Sequence, residues 1–114
     1  MMEAASCRLL TVNVPPALED TFVDWLLSQG LEQGFTSYRA DGHGSAHEHL
    51  TIGEQVRGRQ RRAEFRLVLD EESARRIVDS LESDFAGADI FYFVLPVLRF
   101  GHLKQAAGAS SAGP

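Results

Sequence analysis

Residues 62–98 read RAEFRLVLDEESARRIVDSLESDFAGADIFYFVLPVL, and this stretch decides the fold. Over residues 62–69, charged and apolar side chains alternate, which is the period-two pattern of a strand with one buried face. Behind Asp70, a favoured N-cap residue, the apolar residues switch to helical spacing. The helical stripe consists of Ala74, Ile77, Val78, Leu81 and Phe85. Gly87 is placed to end the helix, so the stretch opens with a strand and a helix.

An apolar run at residues 90–98 follows the helix and predicts the last strand. Successive side chains of a strand point in opposite directions, so this strand is apolar on both faces. Such a pattern is typical of a strand that is covered on both sides. We therefore expect the last strand to be central in its sheet or otherwise doubly covered.

The first half of the chain predicts a strand, a helix and a second strand. Residues 8–14 are apolar and β-branched, and they end at Pro15-Pro16, which stops a strand and suits the first turn of a helix. Apolar residues at helical spacing then predict a helix that Gly30 ends. Residues 34–41 alternate again and predict a strand, which the flexible backbone of Gly42-His43-Gly44 ends.

The order strand, helix, strand, strand, helix, strand predicts an α+β, ferredoxin-like βαββαβ fold. In this arrangement two helices cover one face of a four-stranded antiparallel sheet. The other face has no cover from the chain, and the last strand is too apolar to leave exposed there. We therefore expect the protein to self-associate through the open sheet face.

Composition is that of a single domain. The chain has 114 residues, 44% hydrophobic content and a formal net charge of −5. Its apolar runs are too short to span a membrane and its first residues do not resemble a secretory signal, so we expect a cytoplasmic protein without direct membrane insertion. Residues 1–7 are predicted to be a flexible arm that carries Cys7 as an incidental thiol, and residues 104–114 a disordered tail.

Basic residues cluster just before and within the third predicted strand. One basic cluster on an acidic protein favours a local anion or acidic-partner site over nucleic-acid binding. The cluster centres on Gly58, Arg59, Gln60, Arg61 and Arg62, and arginine can bind phosphate or carboxylate with two parallel hydrogen bonds. The alternative is a charged strand entry whose arginines pair with acidic residues of this or another subunit.

His43, His47 and His49, together with Glu48 and Asp41, form the one cluster with metal-ligand character. Neutral imidazoles with nearby carboxylates suit zinc, copper(II) or nickel. An extended loop would bring His47 and His49 to one side, and a helical loop would do the same for His43 and His47. A third ligand would then have to come from Glu54, His102 or a neighbouring subunit. The alternative is that these are solvated histidines in a polar loop.

Several of these segments together resemble a known family. Residues 34–44, GFTSYRADGHG, are similar to the strand that enters the mobile T-loop of the P-II signal-transduction proteins. The joint pattern over residues 8–103 resembles more closely an uncharacterised P-II-like bacterial family that is often encoded beside heavy-metal efflux pumps. The pattern consists of Pro15-Pro16, Asp24-Trp25-Leu26-Leu27, Gly34-Phe35-Thr36-Ser37, Asp41-Gly42-His43-Gly44-Ser45, Glu54-Gln55-Val56 and Gly58-Arg59-Gln60-Arg61-Arg62.

The resemblance implies a P-II-like domain over residues 8–103, with a T-loop-like connection at residues 42–61. It also implies a homotrimer that holds ligands, including an adenine nucleotide, in clefts between subunits. The candidate cofactor-binding residues are Gly42, Gly44, Arg59, Gln60, Arg61, Arg62 and Gly87. Where ATP-binding members carry Gly-Asp-Gly-Lys, this chain has Ala86-Gly87-Ala88-Asp89 without a lysine. The stretch from Gly42 to Gln60 also lacks a tyrosine to accept a uridylyl group, so we do not expect a nitrogen-status role.

We predict a regulatory protein and not an enzyme, because no nucleophile with its base, paired-carboxylate site or Walker loop is present. The protein would sense a transition metal or an adenine nucleotide and signal by ordering residues 42–61 against a partner. The efflux-associated resemblance favours a metal as the ligand and a membrane efflux pump as the partner. The alternatives are a protein-interaction module that binds no small molecule and a small metal chaperone or buffer.

Overall fold

The computed structural model describes residues 6–44 and 59–104. Its strands are β1 (Cys7–Val14), β2 (Thr36–His43), β3 (Arg59–Asp70) and β4 (Phe91–Pro96), and its helices are α1 (Glu19–Leu27) and α2 (Glu71–Asp84). Over these ranges the strands pair antiparallel in the order β2-β3-β1-β4. The predicted ferredoxin-like fold is confirmed. Neither helix is long and apolar enough to cross a membrane.

One face of the sheet packs against both helices. The register places Val12 beside Phe65 and Leu10 beside Leu67, so these fully buried side chains share a face. The ring of Phe22 in α1 lies 5.0 Å from that of Phe65. The buried helix residues that complete this layer are Leu26 from α1 and Ala74, Ile77 and Leu81 from α2. Burial of this apolar layer holds the helices on the sheet.

The β2–β3 hairpin is longer than the sequence predicts. β2 extends two residues beyond its expected end and β3 begins three residues early, because pairing continues outward as far as His43↔Arg59. Gly42 therefore lies inside a strand and does not end it. Its lack of a side chain makes room for a neighbour, since a Cβ atom at Gly42 would lie 3.3 Å from Cγ of Arg62.

β4 is an edge strand, so the expected central position is wrong, while the alternative of cover from outside the chain stays a prediction. It borders β1 and no other strand of the described residues. Periodicity showed that both faces of β4 are apolar, but it could not show what covers them. Tyr92 faces the helices, where its hydroxyl donates to Glu82 of α2. On the opposite face Phe91, Phe93 and Leu95, here named the β4 strip, remain 54%, 43% and 48% exposed.

Cys7 begins β1, so its predicted place in a flexible arm is wrong. Its backbone pairs with Asp70 of β3, and its carbonyl oxygen accepts a hydrogen bond from Val97 N at 3.1 Å. The side chain is fully buried. The small, weakly patterned residues before Cys7 concealed the start of the strand in the sequence.

Asp70 caps α2, as predicted. Its Oδ1 accepts the backbone N–H of Ser73 at 2.8 Å, and its Oδ2 accepts the Ser73 hydroxyl at 3.0 Å. The cap satisfies a donor that the first helical turn leaves without a partner. The hydrogen bond from the Ser73 backbone lowers the pKa of the Asp70 carboxyl below its usual 3.8, although burial acts in the opposite direction.

We expect Asp70→Ala to lower the free energy of unfolding by about 1 kcal/mol at neutral pH, the usual effect of a lost N-cap. Because the folded-state pKa is lowered, the stability contributed by the charge is present above the unfolded-state pKa and is lost as the pH falls through the folded-state pKa. Asp70→Asn is the matched control, since it still caps the helix but does not titrate. It should keep most of the stability at neutral pH and lose less in acid.

Urea unfolding followed by circular dichroism, at neutral pH and in steps below about pH 4, measures both effects. An Asp70→Ala variant as stable as the wild type at neutral pH would contradict the capping role.

Candidate ligand site at the hairpin end

The end of the β2–β3 hairpin projects beyond the rest of the sheet. β1 stops at the level of Ala63. β2 and β3 continue outward from Ala40↔Arg62 to His43↔Arg59. Within the described residues no third strand borders this part of the hairpin. Both of its faces can therefore receive side chains or ligands.

A basic groove of about 270 Å³ lies along the projecting hairpin. It is lined by Arg39, Ala40, Asp41, Arg61 and Arg62. Side-chain alternation from the buried Ala63 places Arg39, Asp41 and Arg61 on the helix side of the sheet. Two guanidinium groups on one face can hold an anion by charge-assisted hydrogen bonds.

Arg39 was not predicted as a site residue, although its spacing from Asp41 in the sequence pointed to it. It stands two positions before Asp41, so alternation puts both residues on one face. Its Nη2 lies 3.5 Å from Oε1 of Glu19 in α1, but the side chain is 71% exposed. An ion pair this exposed is weak. Arg39 can therefore turn toward a ligand at little cost.

A second cavity, of about 300 Å³, lies on the open face of the sheet. It brings together five of the predicted site residues with others from all four strands and the loop before β4. The predicted ones are Asp41, Gly42, His43, Gln60 and Arg62, and the others are Asn13, Ala40, Glu64, Asp89 and Phe91. We call this space the open-face cavity. The carboxylates of Glu64 and Asp89 set it apart from the basic groove.

Arg62 is the buried centre of the open-face cavity wall, with 4% of the residue exposed. Its Nε donates to Asn13 Oδ1, and its Nη1 donates to Gln60 Oε1 at 3.2 Å and to Asp89 Oδ2 at 3.0 Å. Its Nη2 donates to the backbone oxygens of Asn13 at 3.2 Å and Asp89 at 2.8 Å. These bonds use all five donors of an arginine. A phosphate at Arg62 would have to displace one of them.

Further polar contacts extend from Arg62 across the open face. Oε2 of Glu64 accepts a hydrogen bond from Asn13 Nδ2 at 3.0 Å, and Oε1 accepts the hydroxyl of Tyr38. Arg66 donates to the Tyr38 oxygen at 3.1 Å, and its guanidinium carbon lies 4.9 Å from the centre of the ring. The bond to Glu64 raises the pKa of Tyr38 above its usual 10.0. A line of polar contacts thus runs from β2 to the loop before β4.

The predicted metal site falls only partly within the described residues. His43, the last residue of β2, borders the open-face cavity together with Asp41, although alternation places both side chains on the helix side of the sheet. His47 and His49 lie outside the described residues. Residues 6–44 and 59–104 contain no group of three His, Cys, Asp or Glu side chains that could hold a metal ion. The histidine cluster therefore stays a prediction.

The remaining predicted residues lie outside both cavity linings. Gly44 and Gly87 have φ angles of +81° and +85°, in the left-handed region that favours glycine, which explains both as turn residues. The backbone of Arg59 pairs with His43. Its side chain is not part of the described structure.

We expect Arg62→Ala to lower the free energy of unfolding by about 2–3 kcal/mol, because it leaves the buried Asn13 acceptors without partners. Arg66→Ala is the matched control, since Arg66 lies on the same strand and face but is exposed. Its loss should cost less than about 1 kcal/mol. Urea unfolding followed by circular dichroism measures both, and equal losses in the two variants would contradict the central role of Arg62.

Comparison with known proteins shows that the sequence of this chain matches a family. Residues 4–104 match the sequence model of a family described as "Protein of unknown function (DUF3240)". A search of curated proteins finds no significant match to the chain.

Solved structures share the fold. A DUF3240 family protein from Shewanella baltica superposes with a TM-score of 0.68 at 16% identity, over 89% of this chain and 98% of that chain. CutA from Synechococcus elongatus gives 0.60 at 17% identity, over 83% and 80%. A functionally unknown protein from Pediococcus pentosaceus gives 0.52 at 13% identity, over 86% and 98%. These likenesses show the fold alone, and they confirm the predicted P-II-like fold.

Proposed function

Since the chain belongs to the DUF3240 family, to which no function is assigned, we propose its function from the geometry of the hairpin end. We propose a homotrimeric, cytoplasmic P-II-like regulator that senses a transition metal or an adenine nucleotide. The ligand would order the connection between β2 and β3 against a partner. The support for a membrane efflux pump as that partner is the resemblance to efflux-associated relatives.

The observation that carries the proposal is the presence of two cavities where the hairpin leaves the sheet. They have volumes of about 270 and 300 Å³. Residues 39–41 and 61–62 line the basic groove, and the open-face cavity reaches Gly42 and His43 at the end of β2 and Gln60 near the start of β3. A ligand held there would touch the backbone on each side of the connection, so that binding could bias its conformation.

The two ligand classes would use different side chains. His43 and Asp41 offer a nitrogen and an oxygen donor of the kind that zinc, copper(II) or nickel accepts, and further ligands would come from the connection or another subunit. Arg39 and Arg61 offer two guanidinium groups to the phosphates of a nucleotide. The proposed sensor can therefore be tested separately for each class.

A thermal-shift screen tests the sensor with Zn²⁺, Cu²⁺ and Ni²⁺ and with AMP, ADP and ATP. A ligand at one hundred times its Kd adds about 2.7 kcal/mol to the stability of the folded state, which is a clear rise in Tm. We expect His43→Ala to remove a metal-induced rise and the Arg39→Gln/Arg61→Gln double variant to remove a nucleotide-induced one. Arg75→Gln, an exposed arginine on α2, is the control and should change neither.

No rise in Tm with any of these ligands would contradict the sensor and favour the interaction module. A rise that persists in both variants would place the ligand elsewhere on the protein.

The β4 strip supports the homotrimer. Its three large apolar side chains lie together on the uncovered sheet face, at the edge of the sheet. Contiguous exposed apolar surface on a soluble protein marks an interface. We propose that further copies of this chain cover the strip, and that the assembly closes as the cyclic trimer implied by the family resemblance.

We expect Phe93→Glu to dissociate the trimer, because it places a charge in the centre of the β4 strip. Leu27→Glu is the matched control, since Leu27 is 66% exposed but lies on α1, away from the sheet face. Sedimentation equilibrium should give three times the 12.6 kDa chain mass for the wild type and for Leu27→Glu. A monomeric wild type, or a Phe93→Glu variant that stays trimeric, would contradict the interface.

A further inference from the structure

Arg62 touches groups from separate parts of the chain. Asn13 belongs to β1, Gln60 to the hairpin end, Asp89 to the loop between α2 and β4, and Phe91 to β4. The guanidinium carbon lies 5.9 Å from the centre of the Phe91 ring. One side chain thus joins the hairpin end directly to both the loop and the β4 strip.

The loop before β4 depends on Arg62 for its position. Arg62 binds Asp89 twice, once through the backbone oxygen and once through the carboxylate. The loop also closes on itself through a hydrogen bond of 2.8 Å from Ile90 N to Ala88 O. The direct neighbour of these residues along the chain is Phe91, the first residue of the β4 strip. A displacement of the guanidinium would therefore move the start of the strip.

The stem of Arg62 depends in turn on the hairpin end. Ala40 pairs with Arg62 across the hairpin, and Gly42 pairs with Gln60. A Cβ atom at Gly42 would lie 3.3 Å from Cγ and 3.8 Å from Cδ of Arg62. The β2 backbone and the arginine stem are thus in near contact, so a shift of β2 at Gly42 changes the space open to the stem.

We propose that Arg62 is a positioning residue that couples the hairpin end to the loop and the first residues of β4. A shift of the β2 backbone at Gly42 moves the stem of Arg62, and the guanidinium group then displaces Asp89 and Phe91. The coupling is reciprocal, since a change at either end must bias the other by the same free energy. It links the proposed ligand site to the proposed subunit interface, but it requires neither ligand nor assembly to be observed.

Native-state amide hydrogen exchange, followed by NMR on the full chain, tests the coupling from both ends. Gly42→Ala perturbs the hairpin end and should speed exchange in residues 86–91. Asp89→Asn perturbs the loop and should speed exchange in residues 40–43 and 59–61. A coupling of ordinary size changes these rates by about 5- to 100-fold.

Two substitutions serve as controls. Asp84→Ala removes the hydrogen bond that the Trp25 indole donates at 2.9 Å at the end of α2, close to the loop but outside the contacts of Arg62 described above. Thr36→Ala changes the opposite end of β2. Both should leave the distant rates within about twofold of the wild type, since independent sites do not couple.

Arg62→Lys separates coupling from stability, because lysine keeps the charge but cannot bridge the same partners. In this background the effects of Gly42→Ala and Asp89→Asn should become local and additive. The proposal is overturned if each substitution already acts only locally in the wild-type chain, or if the distant effects persist unchanged when each is combined with Arg62→Lys. The first outcome is accessible even if Arg62→Lys fails to fold, and neither depends on the thermal-shift screen.

Discussion

Strict alternation of side chains in a sheet that the helices cover on one face is the constraint on which the other features depend. In β1, Leu10 and Val12 point into the helix layer, so Asn13 must point away from it. Asn13 is nevertheless only 4% exposed, because side chains from β3 lie over it. A buried amide needs hydrogen-bond partners. Arg62 and Glu64 supply them, and the polar line across the open face follows from that need.

The same constraint gives the protein a well-supported part of the sheet around Asn13 and a less supported hairpin end. At the level of Asn13, β3 has a strand on each side and the polar contacts of Arg62 between them. Beyond Ala40 the hairpin has only its own pairing within the described residues. Regions with fewer neighbours open at lower free energy. A sensor that works by ordering a segment needs this combination of a fixed attachment and a responsive end.

Local patterns allowed much of the fold to be predicted. The alternation around Phe65, the helical stripe around Ile77 and the cap at Asp70 each depend on residues close in sequence. The edge position of β4 depends on which strands become neighbours, and that is not a local property. The same apolar run would suit a central strand or an edge strand covered by another subunit.

The candidate site was predicted less completely for a related reason. An arginine in an alternating strand is normally solvated, so the burial of Arg62 could not be foreseen without knowing that Asn13 and Asp89 meet it. Arg61 and His43 were predicted as candidate site residues because arginine and histidine are side-chain types that bind ligands. Arg39 is also an arginine, but it is the only one in its strand and was not predicted as a site residue. Side-chain type thus identified candidates, while only the pairing register showed which of them share a face.

The near contact between Gly42 and Arg62 also has an evolutionary consequence. A larger residue at position 42 would press on the arginine stem, so a lineage that gains one must shift that stem by a few tenths of an ångström or shorten the side chain at position 62. Conversely, a lineage that loses Arg62 no longer has this reason to keep a glycine at position 42. The two positions should therefore vary together among homologous sequences, although neither residue type would mark them as partners.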